Sequence, residues 1–472
     1  MKKVLLLVAS AFSLVGIGQS NMLLYNFDAV AQSLHVNPSL QQQSKVWVGL
    51  PGISGISLDY QNSGFSLLDI FEEGTDINDN IRKTLGEMDD ASGLFLNSTI
   101  DLLGIGFKAG KGYFSLGAQQ SIDLKMKWPT QLLTFAYEGN AIPRNRVMSL
   151  ESYNAEFNIR TNYYLGYQRA IGEKWRVGGR LKYIIGQGHG YVDRMNGRIT
   201  TTSVSDLVID TDILIRSSGV ANTEDDIEVM DLVFSDNRGF GVDLGATYTV
   251  NQRLSFSVSA LDIGSINWES DNREYSSKGT FTFDGVDADL ADDDPIKDFD
   301  DLVDSLEAAF DFSESVGVGY KRSLPSHYYV SGNFHLNEKH SLGALYHLRT
   351  WDGDAFHDIG FNYVGKLARG FQATVGYSLI NGDASNVGVG LSTKLGPMQF
   401  YVMSDNVLGA VNYASLQTTN VRLGLNIAIY EPKEKKMERK KAKAAKKLGK
   451  KQNKKTNKSE SNKSKTPENE ND

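Results

Sequence analysis

The chain has 472 residues, of which 40% are hydrophobic and 22% charged, and it contains no cysteine, which excludes a disulfide framework, thiolate catalysis and thiolate metal sites. Its formal net charge is −8. Residues 431–472 hold fifteen lysines and Arg439 against six glutamates and Asp472, a net charge of +9, which leaves −17 for residues 1–430. An acidic body followed by a basic tail predicts two regions with different roles.

The chain begins like a secretory signal peptide. Lys2 and Lys3 form a basic start, an apolar run covers residues 4–15, and Gly16 and Gly18 are the small residues expected before a cleavage site. The alternative is a membrane anchor, but a helix that spans a bilayer needs about 20 apolar residues, and this run is shorter. We therefore expect residues 1–18 to be a signal peptide and the mature protein to be exported.

From residue 44 onward the chain alternates apolar with polar or small residues. In Phe371–Leu379 and again in Val421–Ile429, every second residue is apolar and the residues between are polar or small. A β-strand points successive side chains to opposite faces, so each segment has one apolar face. Taken alone, this pattern also fits a soluble β-sandwich.

The spacing of the predicted strands favours a transmembrane barrel. The predicted strands are 44–60, 94–108, 113–127, 152–170, 175–193, 239–250, 254–268, 326–336, 340–351, 357–366, 371–379, 386–395, 398–404 and 420–430. Short and long connections alternate between them, as do the periplasmic turns and extracellular loops of outer-membrane barrels. We predict an all-β, antiparallel transmembrane barrel of about fourteen strands over residues 44–430, with sixteen strands as the alternative and both termini in the periplasm.

Two long insertions, near 194–237 and 269–325, are expected outside the membrane. Residues 198–216 contain two strand-like runs, and 275–284 with 313–322 form a candidate hairpin extension. Residues 296–310 have helical spacing and are expected to pack on the protein itself. Eight aspartates between 287 and 301 are a conceivable calcium site, although a solvated acidic loop is the favoured interpretation.

Several segments resemble known barrel families. Asn37-Pro38-Ser39 is similar to the Asn-Pro-Ala element that precedes the first strand of FadL-type long-chain fatty-acid transporters, which are fourteen-stranded barrels. The resemblance is nearer to an uncharacterised family of outer-membrane β-barrel proteins from Bacteroidota and covers about residues 21–430. The segments that carry it are Val36–Ser39, Val48–Ile53, Gly239–Ala246, Leu261–Trp268 and Ser404–Asn406.

The resemblance to FadL-type proteins implies a hatch in front of the first strand. Residues 19–43 would then plug the lumen, with Asn37, Pro38 and Ser39 at a turn, where Pro38 holds Asn37 extended. Ser39 replaces the alanine of those proteins, which still permits the turn. An ordinary capped turn in a periplasmic lid is the alternative. The same resemblance implies contact with outer-membrane lipid and a hydrophobic small molecule as ligand.

The alternation directs Arg160, Arg180, Lys182, Asp243 and Arg422 into the lumen. Opposite charges inside a barrel usually pair and brace a filled interior. An ion-selective constriction built from the same residues is the alternative. Either arrangement makes the middle of the lumen polar, which argues against a continuous apolar conduit and weakens a direct transfer of fatty-acid transport.

No enzyme is expected. Nucleophile-elbow, zinc-protease and phosphate-loop motifs are missing from the sequence. Ser404-Asp405-Asn406 imitates a penicillin-binding triplet without its companion motifs, so we interpret it as a turn. Five of the seven histidines lie between His327 and His357. We expect them at different heights on their strands, and we expect neither a metal ion nor another cofactor.

The lysine-rich tail, residues 431–472, is expected to be disordered because it has almost no bulky apolar residues. In the periplasm it would face anionic cell-wall or membrane surfaces. Attachment there competes with a merely solubilising role, and nucleic acid is not an expected partner. Two functions follow for the outer-membrane protein. It is either a plugged FadL-like channel for small or hydrophobic molecules or a structural adaptor that tethers partners or the cell wall through its tail.

Overall fold

The computed structural model describes residues 21–70, 75–88, 92–128, 130–138, 147–202, 207–222, 235–283, 312–408 and 417–430. Four sequence expectations lie outside these residues: the signal peptide at 1–18, the aspartates between 287 and 301, the helical stripe at 296–310, and the tail at 431–472.

β-Strands dominate the described chain. They are β1 (Val46–Gly49), β2 (Ile56–Asn62), β3 (Gly93–Ala109), β4 (Gly112–Lys127), β5 (Val147–Ser149), β6 (Ala155–Ile171), β7 (Trp175–Thr201), β8 (Leu207–Gly219), β9 (Asn237–Thr249), β10 (Leu254–Trp268), β11 (Arg273–Phe283), β12 (Ser313–Val316), β13 (Tyr320–Ser323), β14 (Ser326–His335), β15 (His340–Trp351), β16 (Asp354–Ala368), β17 (Phe371–Ile380), β18 (Asp383–Leu395), β19 (Met398–Ser404) and β20 (Thr418–Ile429).

Helices are short in the described chain. They are α1 (Met22–Tyr25), α2 (Leu67–Ile70), α3 (Ile77–Glu87) and α4 (Thr130–Glu138), with 3-10 turns at Ala31–His35 and Val220–Asn222. None of the helices in the described ranges is long and apolar enough to cross a membrane.

The sheet closes on itself as a fourteen-stranded barrel. β1 and β2 together make the first strand, followed by β3, β4, β6, β7, β9, β10 and then β14 to β20 in order, each antiparallel to its neighbours. β20 returns to pair with β1 and β2, for example Val48 with Ile427. Closure leaves no unpaired edge around the barrel. The predicted fold class and the count of fourteen strands are confirmed.

Apolar side chains point outward from the barrel wall and mostly polar ones inward. Leu181 and Phe361 are 64% and 61% exposed on the outer surface, whereas the inward-facing Thr374 and Asn426 are fully buried. An exposed apolar band around a closed sheet is the surface of a membrane-spanning barrel. The alternation seen in the sequence therefore sorts lipid-facing from luminal positions.

The first strand differs from the expectation of a continuous run over 44–60. Six residues, 50–55, separate β1 from β2, while only two residues of β20 and three of β3 lie opposite them. Pro51 has no N–H to donate to the sheet, and Gly52 has a φ of 74°. The surplus residues form a bulge in the wall.

A second sheet region extends beyond the barrel at the ends of the longest strands. β7 has 27 residues, whereas about 9–11 suffice to cross a bilayer. Its outer half pairs with β5 and β8, β8 pairs with β11, and β11 pairs with β12. The buried apolar core of this region contains Met148, Leu150, Ile199, Ile209 and Ile213.

Candidate functional site in the barrel lumen

Residues 21–43, here called the hatch, lie inside the barrel. We call the end that carries the short β3–β4, β6–β7 and β9–β10 connections the turn end, and the opposite end the loop end. The hatch contacts inward side chains of strands all around the wall, from β7, β9 and β10 to β14, β16, β19 and β20. Most of these partners lie toward the turn end, so the hatch fills that part of the lumen.

The predicted turn residues of the hatch form a compact hydrogen-bonded unit. The Asn37 side-chain oxygen accepts the backbone N–H of Ser39 at 2.9 Å and the Ser39 hydroxyl at 2.7 Å. Its amide nitrogen donates to the Tyr25 hydroxyl at 2.8 Å. Asn37 thus joins both ends of the hatch through one fully buried side chain. Pro38 lies between the two hydrogen-bonding residues.

The Asn37–Ser39 turn rests in a recess made by two glycines. Gly178 of β7 and Gly245 of β9 are directly paired across the wall. A Cβ atom at Gly178 would lie 2.1 Å from the Pro38 carbonyl oxygen, and one at Gly245 would lie 2.3 Å from Asn37 Oδ1. Side chains at these positions would collide with the hatch, so glycine here permits the close approach of the two backbones.

The start of the hatch is held by a carboxylate near the loop end of β19. The backbone N–H groups of Met22 and Leu23 donate to Asp405 at 3.0 and 2.9 Å. Leu23 also lies against the paired glycines Gly376 and Gly388, where added Cβ atoms would come within 2.6 and 2.9 Å of its side chain. Asp405 belongs to the Ser404-Asp405-Asn406 triplet that the sequence analysis interpreted only as a turn.

An apolar core joins the hatch to the wall. Tyr25 and Phe27 are fully buried, and Tyr25 stacks on Tyr329 with ring centroids 5.1 Å apart. Burying one large apolar side chain contributes about 1.5–3 kcal/mol. Inward-facing apolar wall residues complete this core: Leu261, Tyr329, Leu345, Val364, Tyr401 and Met403. The sequence analysis, which expected a polar interior, missed this patch.

Gln32 links the hatch to the bulge in the first strand. Its side-chain nitrogen donates to the Ser54 carbonyl oxygen at 2.8 Å and to Asn426 Oδ1 at 3.0 Å. The Asn426 amide returns a hydrogen bond to Gln32 Oε1 at 3.0 Å. The hydroxyl of Tyr401 also donates to the Ser54 carbonyl, at 3.1 Å. The bulge is therefore bonded to the hatch as well as to its neighbouring strands.

Three of the predicted luminal charges form one buried group. Asp243 is fully buried, with Arg180 Nε 3.0 Å from Oδ2 and Lys182 Nζ 2.9 Å from Oδ1. Lys182 Nζ is also 2.7 Å from Asp262. Arg180 reaches the hatch as well, donating to the Leu34 carbonyl and to His35 Nδ1. Two carboxylates thus compensate two cations beside the hatch.

The other two predicted luminal charges lie on different strands. Arg160 pairs with Asp123, and both are buried. Arg422 donates to the Ser57 hydroxyl at 3.2 Å and has no acidic side chain within 4 Å in the described part of the chain. All five predicted residues therefore lie on the luminal side, but they do not form a single ring.

Above the hatch the lumen contains a chamber whose space of about 710 Å³ includes open solvent. The hatch contributes Asn21, His35 and Val36 to its lining. The wall lining is mainly polar and consists of Asp59, Phe95, Asn97, Thr99, Gln119, Ser121, Asp123, Arg160, Asn162, Leu261, Asp262, His327, Tyr329, His347, Arg349 and Arg422. A dissolved molecule that enters this chamber meets mostly polar and charged side chains.

Two of the clustered histidines meet in this chamber, contrary to the expectation that they lie at different heights. His327 Nδ1 is 3.0 Å from His347 Nε2, and the two rings stack with centroids 5.3 Å apart. His347 Nδ1 is 2.8 Å from Asp358. They meet because β14 and β15 are adjacent and the two residues are diagonal neighbours on the inward face. Spacing along each strand alone does not give this contact.

Arg349 was not among the luminal residues predicted from the sequence. Residues 343, 345, 347, 349 and 351 of β15 form the buried, inward-facing row of that strand. The alternation rule used for Arg160 and Arg422 would have found Arg349 in the predicted strand 340–351.

Known structures to which the barrel is similar include two toluene transporters and a FadL homologue. The Ralstonia pickettii toluene transporter TbuX has 10% identity and a TM-score of 0.43, over 89% of this chain and 100% of that chain. The Pseudomonas putida toluene transporter TodX has 8% identity and a TM-score of 0.40, over 86% and 94%. A Pseudomonas aeruginosa FadL homologue has 8% identity and a TM-score of 0.34, over 81% and 86%. The distant similarity to FadL-type proteins expected from the sequence is thus found.

A comparison with curated proteins finds no match. Residues 38–405 match the model of a family described as a family of unknown function (DUF5723), and the chain belongs to that family.

Proposed function

We propose that this protein is an outer-membrane channel for small molecules that is closed by its own N-terminal hatch. The observation that carries this proposal is the mainly polar chamber above a hatch that belongs to no strand of the wall. Side-chain hydrogen bonds and apolar contacts hold the hatch, so it can move without breaking the barrel's sheet. Displacing it connects the chamber with the turn end.

The lining of the chamber supports hydrophilic solutes as cargo. Its apolar residues are Val36, Phe95, Leu261 and Tyr329, and most of the others are polar or charged. A hydrophobic small molecule, the cargo implied by the family resemblance, would have to desolvate these groups without satisfying them. The chamber therefore suits a small hydrophilic molecule better.

The proposed orientation places the turn end, both termini and the lysine-rich residues 431–472 in the periplasm. Short connections on the periplasmic side are the rule for outer-membrane barrels. The apolar band contacts lipid, and the sheet built by β5, β7, β8, β11 and β12 projects outside the cell. With residues 1–18 removed as a signal peptide, the mature chain begins just before the hatch.

A reversible lock on the hatch tests the channel. The Ser39 hydroxyl is 2.7 Å from the Thr247 hydroxyl, and the natural chain has no cysteine, so Ser39→Cys with Thr247→Cys gives one defined pair. We expect the full chain in planar bilayers to show conductance that the oxidised pair blocks and a reducing agent restores. Ser39→Cys alone is the control. Equal conductance of the oxidised and the reduced double-cysteine variant would contradict gating by the hatch.

The second candidate function is that of an envelope adaptor. The sheet beyond the barrel favours this function, because the passage of solutes does not require additional strands outside the membrane. Its other binding element would be the tail at 431–472, with a net charge of +9, which attracts anionic surfaces. Sedimentation with purified cell wall should then be lost when the tail is removed from the folded barrel. Unchanged sedimentation of the truncated protein would leave the tail without this role.

A further inference from the structure

Three arginines from three separate strands line the luminal chamber. Arg160 of β6, Arg349 of β15 and Arg422 of β20 are only 4%, 3% and 5% exposed. Arginine side chains stay charged inside proteins. Three guanidinium groups thus share one luminal space, and each must have its N–H donors satisfied there.

The Nε–H donors of these three arginines have no acceptor among the described residues. The other nitrogens of Arg349 and Arg422 donate hydrogen bonds to neutral groups in that part of the chain. Asp358 and Asp59 attract Arg349 from a greater distance, and Asp101 attracts Arg422. Arg349 donates to Gln61 at 3.0 Å and Arg422 to Ser57 at 3.2 Å. Neither has a carboxylate within ion-pair distance there. The chamber therefore contains more arginine donor capacity than its described surroundings use.

Arg349 is also held in a fixed orientation. Its guanidinium carbon lies 3.6 Å from the Phe95 ring centroid and 4.5 Å from that of Phe356. Both distances are within the range of cation–π contacts. A planar guanidinium fixed between two rings loses little side-chain entropy when a ligand binds, and its donor fork matches a carboxylate or phosphate.

The acidic groups of the chamber limit the charge of a ligand. Asp123 is paired with Arg160, and Asp262 with Lys182. Asp59 lies on the inward face of β2 between Ser57 and Gln61, the residues to which Arg422 and Arg349 donate. A carboxylate at this place disfavours a second anionic group nearby.

We propose that the chamber is a binding site for a small hydrophilic molecule that carries one oxyanion group, a carboxylate or a phosphate. Arg349, which contacts Phe95 and Phe356, is the principal donor to the oxyanion. Arg422 and Arg160 add positive charge to the same chamber. Uncharged polar residues, including Asn97, Gln119 and Asn162, face the remainder of the ligand. This site specifies the class of molecule that the proposed channel would carry. It rests on the proposed function only because the channel would be the route by which the ligand enters.

Calorimetric titration of the full chain in detergent tests the site with four probes. Gluconate carries a carboxylate, glucose 6-phosphate a phosphate, glucose neither, and octanoate a carboxylate on an apolar chain. We expect gluconate, glucose 6-phosphate or both to bind one-to-one, and the better of the two to identify the oxyanion. Glucose and octanoate should bind at least tenfold more weakly. This series requires no substitution, so it decides the ligand class on the natural protein.

Single substitutions then locate the site. Arg349→Gln and Arg422→Gln should each weaken binding of the preferred probe about tenfold or more, since each removes a charged hydrogen-bond donor. Arg253→Gln, in the exposed β9–β10 turn, is the matched control and should bind normally. Heat-dependent migration in gels verifies that each barrel is folded. If a glutamine variant fails to fold, the lysine variant at the same position keeps the charge but should still weaken binding.

Three results would overturn the assignment: no binding of either hydrophilic anion, binding of glucose or octanoate as tight as theirs, or unchanged binding by folded Arg349 and Arg422 variants. Failure of the channel gives a different result. In that case the anion still binds to the chamber, while the reduced variant with Ser39→Cys and Thr247→Cys shows no conductance.

Discussion

Asp243 is the most buried charge in the wall and lies between two cations. Replacing it with Asn keeps its shape but leaves Arg180 without its carboxylate partner and Lys182 with Asp262 alone. Removing one member of a buried ion pair typically costs about 3–5 kcal/mol. We expect Asp243→Asn to lower markedly the temperature at which the barrel loses its folded gel mobility. Asp236→Asn, at a side chain that is 91% exposed, should leave that temperature unchanged.

The glycine recess gives a steric prediction for the hatch. Gly178→Ala and Gly245→Ala each place a methyl group within 2.3 Å of the Asn37–Ser39 turn, and overpacking of this kind costs about 1–3 kcal/mol. We expect both variants to release the hatch to added protease while the barrel stays folded. Gly179→Ala is the matched control because its nearest neighbour would be 3.6 Å away. Equal protease resistance in all three variants would contradict the conclusion that Gly178 and Gly245 make room for the hatch.

At the scale of elements, the bulge in the first strand depends on the hatch. The Ser54 carbonyl accepts hydrogen bonds from Gln32 and from Tyr401. We expect Gln32→Ala to raise amide hydrogen exchange at residues 50–55, because it removes the hatch's bonds to the bulge and to Asn426.

Gln41→Ala is the control for this exchange measurement. Gln41 accepts a hydrogen bond from Arg176 at an exposed position of the hatch, far along the wall from the bulge. Exchange at residues 50–55 that is the same in the Gln32 and Gln41 variants would contradict a link between hatch and bulge.

The elements of the wall could be predicted from sequence because lipid and lumen impose opposite demands on alternate residues. That rule placed Arg160, Arg180, Lys182, Asp243 and Arg422 on the luminal side, where the structure has them. The same rule says nothing of which strands' residues meet across the lumen. Contacts such as His327 with His347 depend on strand adjacency and register, which closure of the barrel sets.

The turn of the hatch could be predicted from the sequence, but its contacts with the wall could not. The Asn37-Pro38-Ser39 turn was expected from its resemblance to the FadL-type element and from the turn preference of Pro38. Its seat on Gly178 and Gly245 was not, since those residues lie more than 130 positions away in the chain. The bulge at 50–55 was missed because an apolar Leu50 and Ile53 continue the pattern of a strand while Pro51 and Gly52 interrupt its hydrogen bonding.

At the scale of the whole molecule, the asymmetry between the two ends determines the proposed orientation. The turn end contains most of the hatch contacts and has short connections, whereas the loop end carries the sheet built on β7, β8 and β11. Long connections and additional structure face outward in outer-membrane barrels. The barrel should therefore present β12 to the medium and the β3–β4 turn to the periplasm.

Single cysteines test this orientation, since the natural chain has none. Val316→Cys lies on β12, where the side chain is 80% exposed, and Lys111→Cys lies in the exposed β3–β4 turn. We expect a membrane-impermeant maleimide to label Cys at 316 on intact cells, and at 111 only after the outer membrane is permeabilised. The reverse pattern would invert the barrel and place residues 431–472 outside the cell. It would also remove the cell wall as a partner of the tail, because the tail's charge can act only on the side of the membrane to which β20 delivers it.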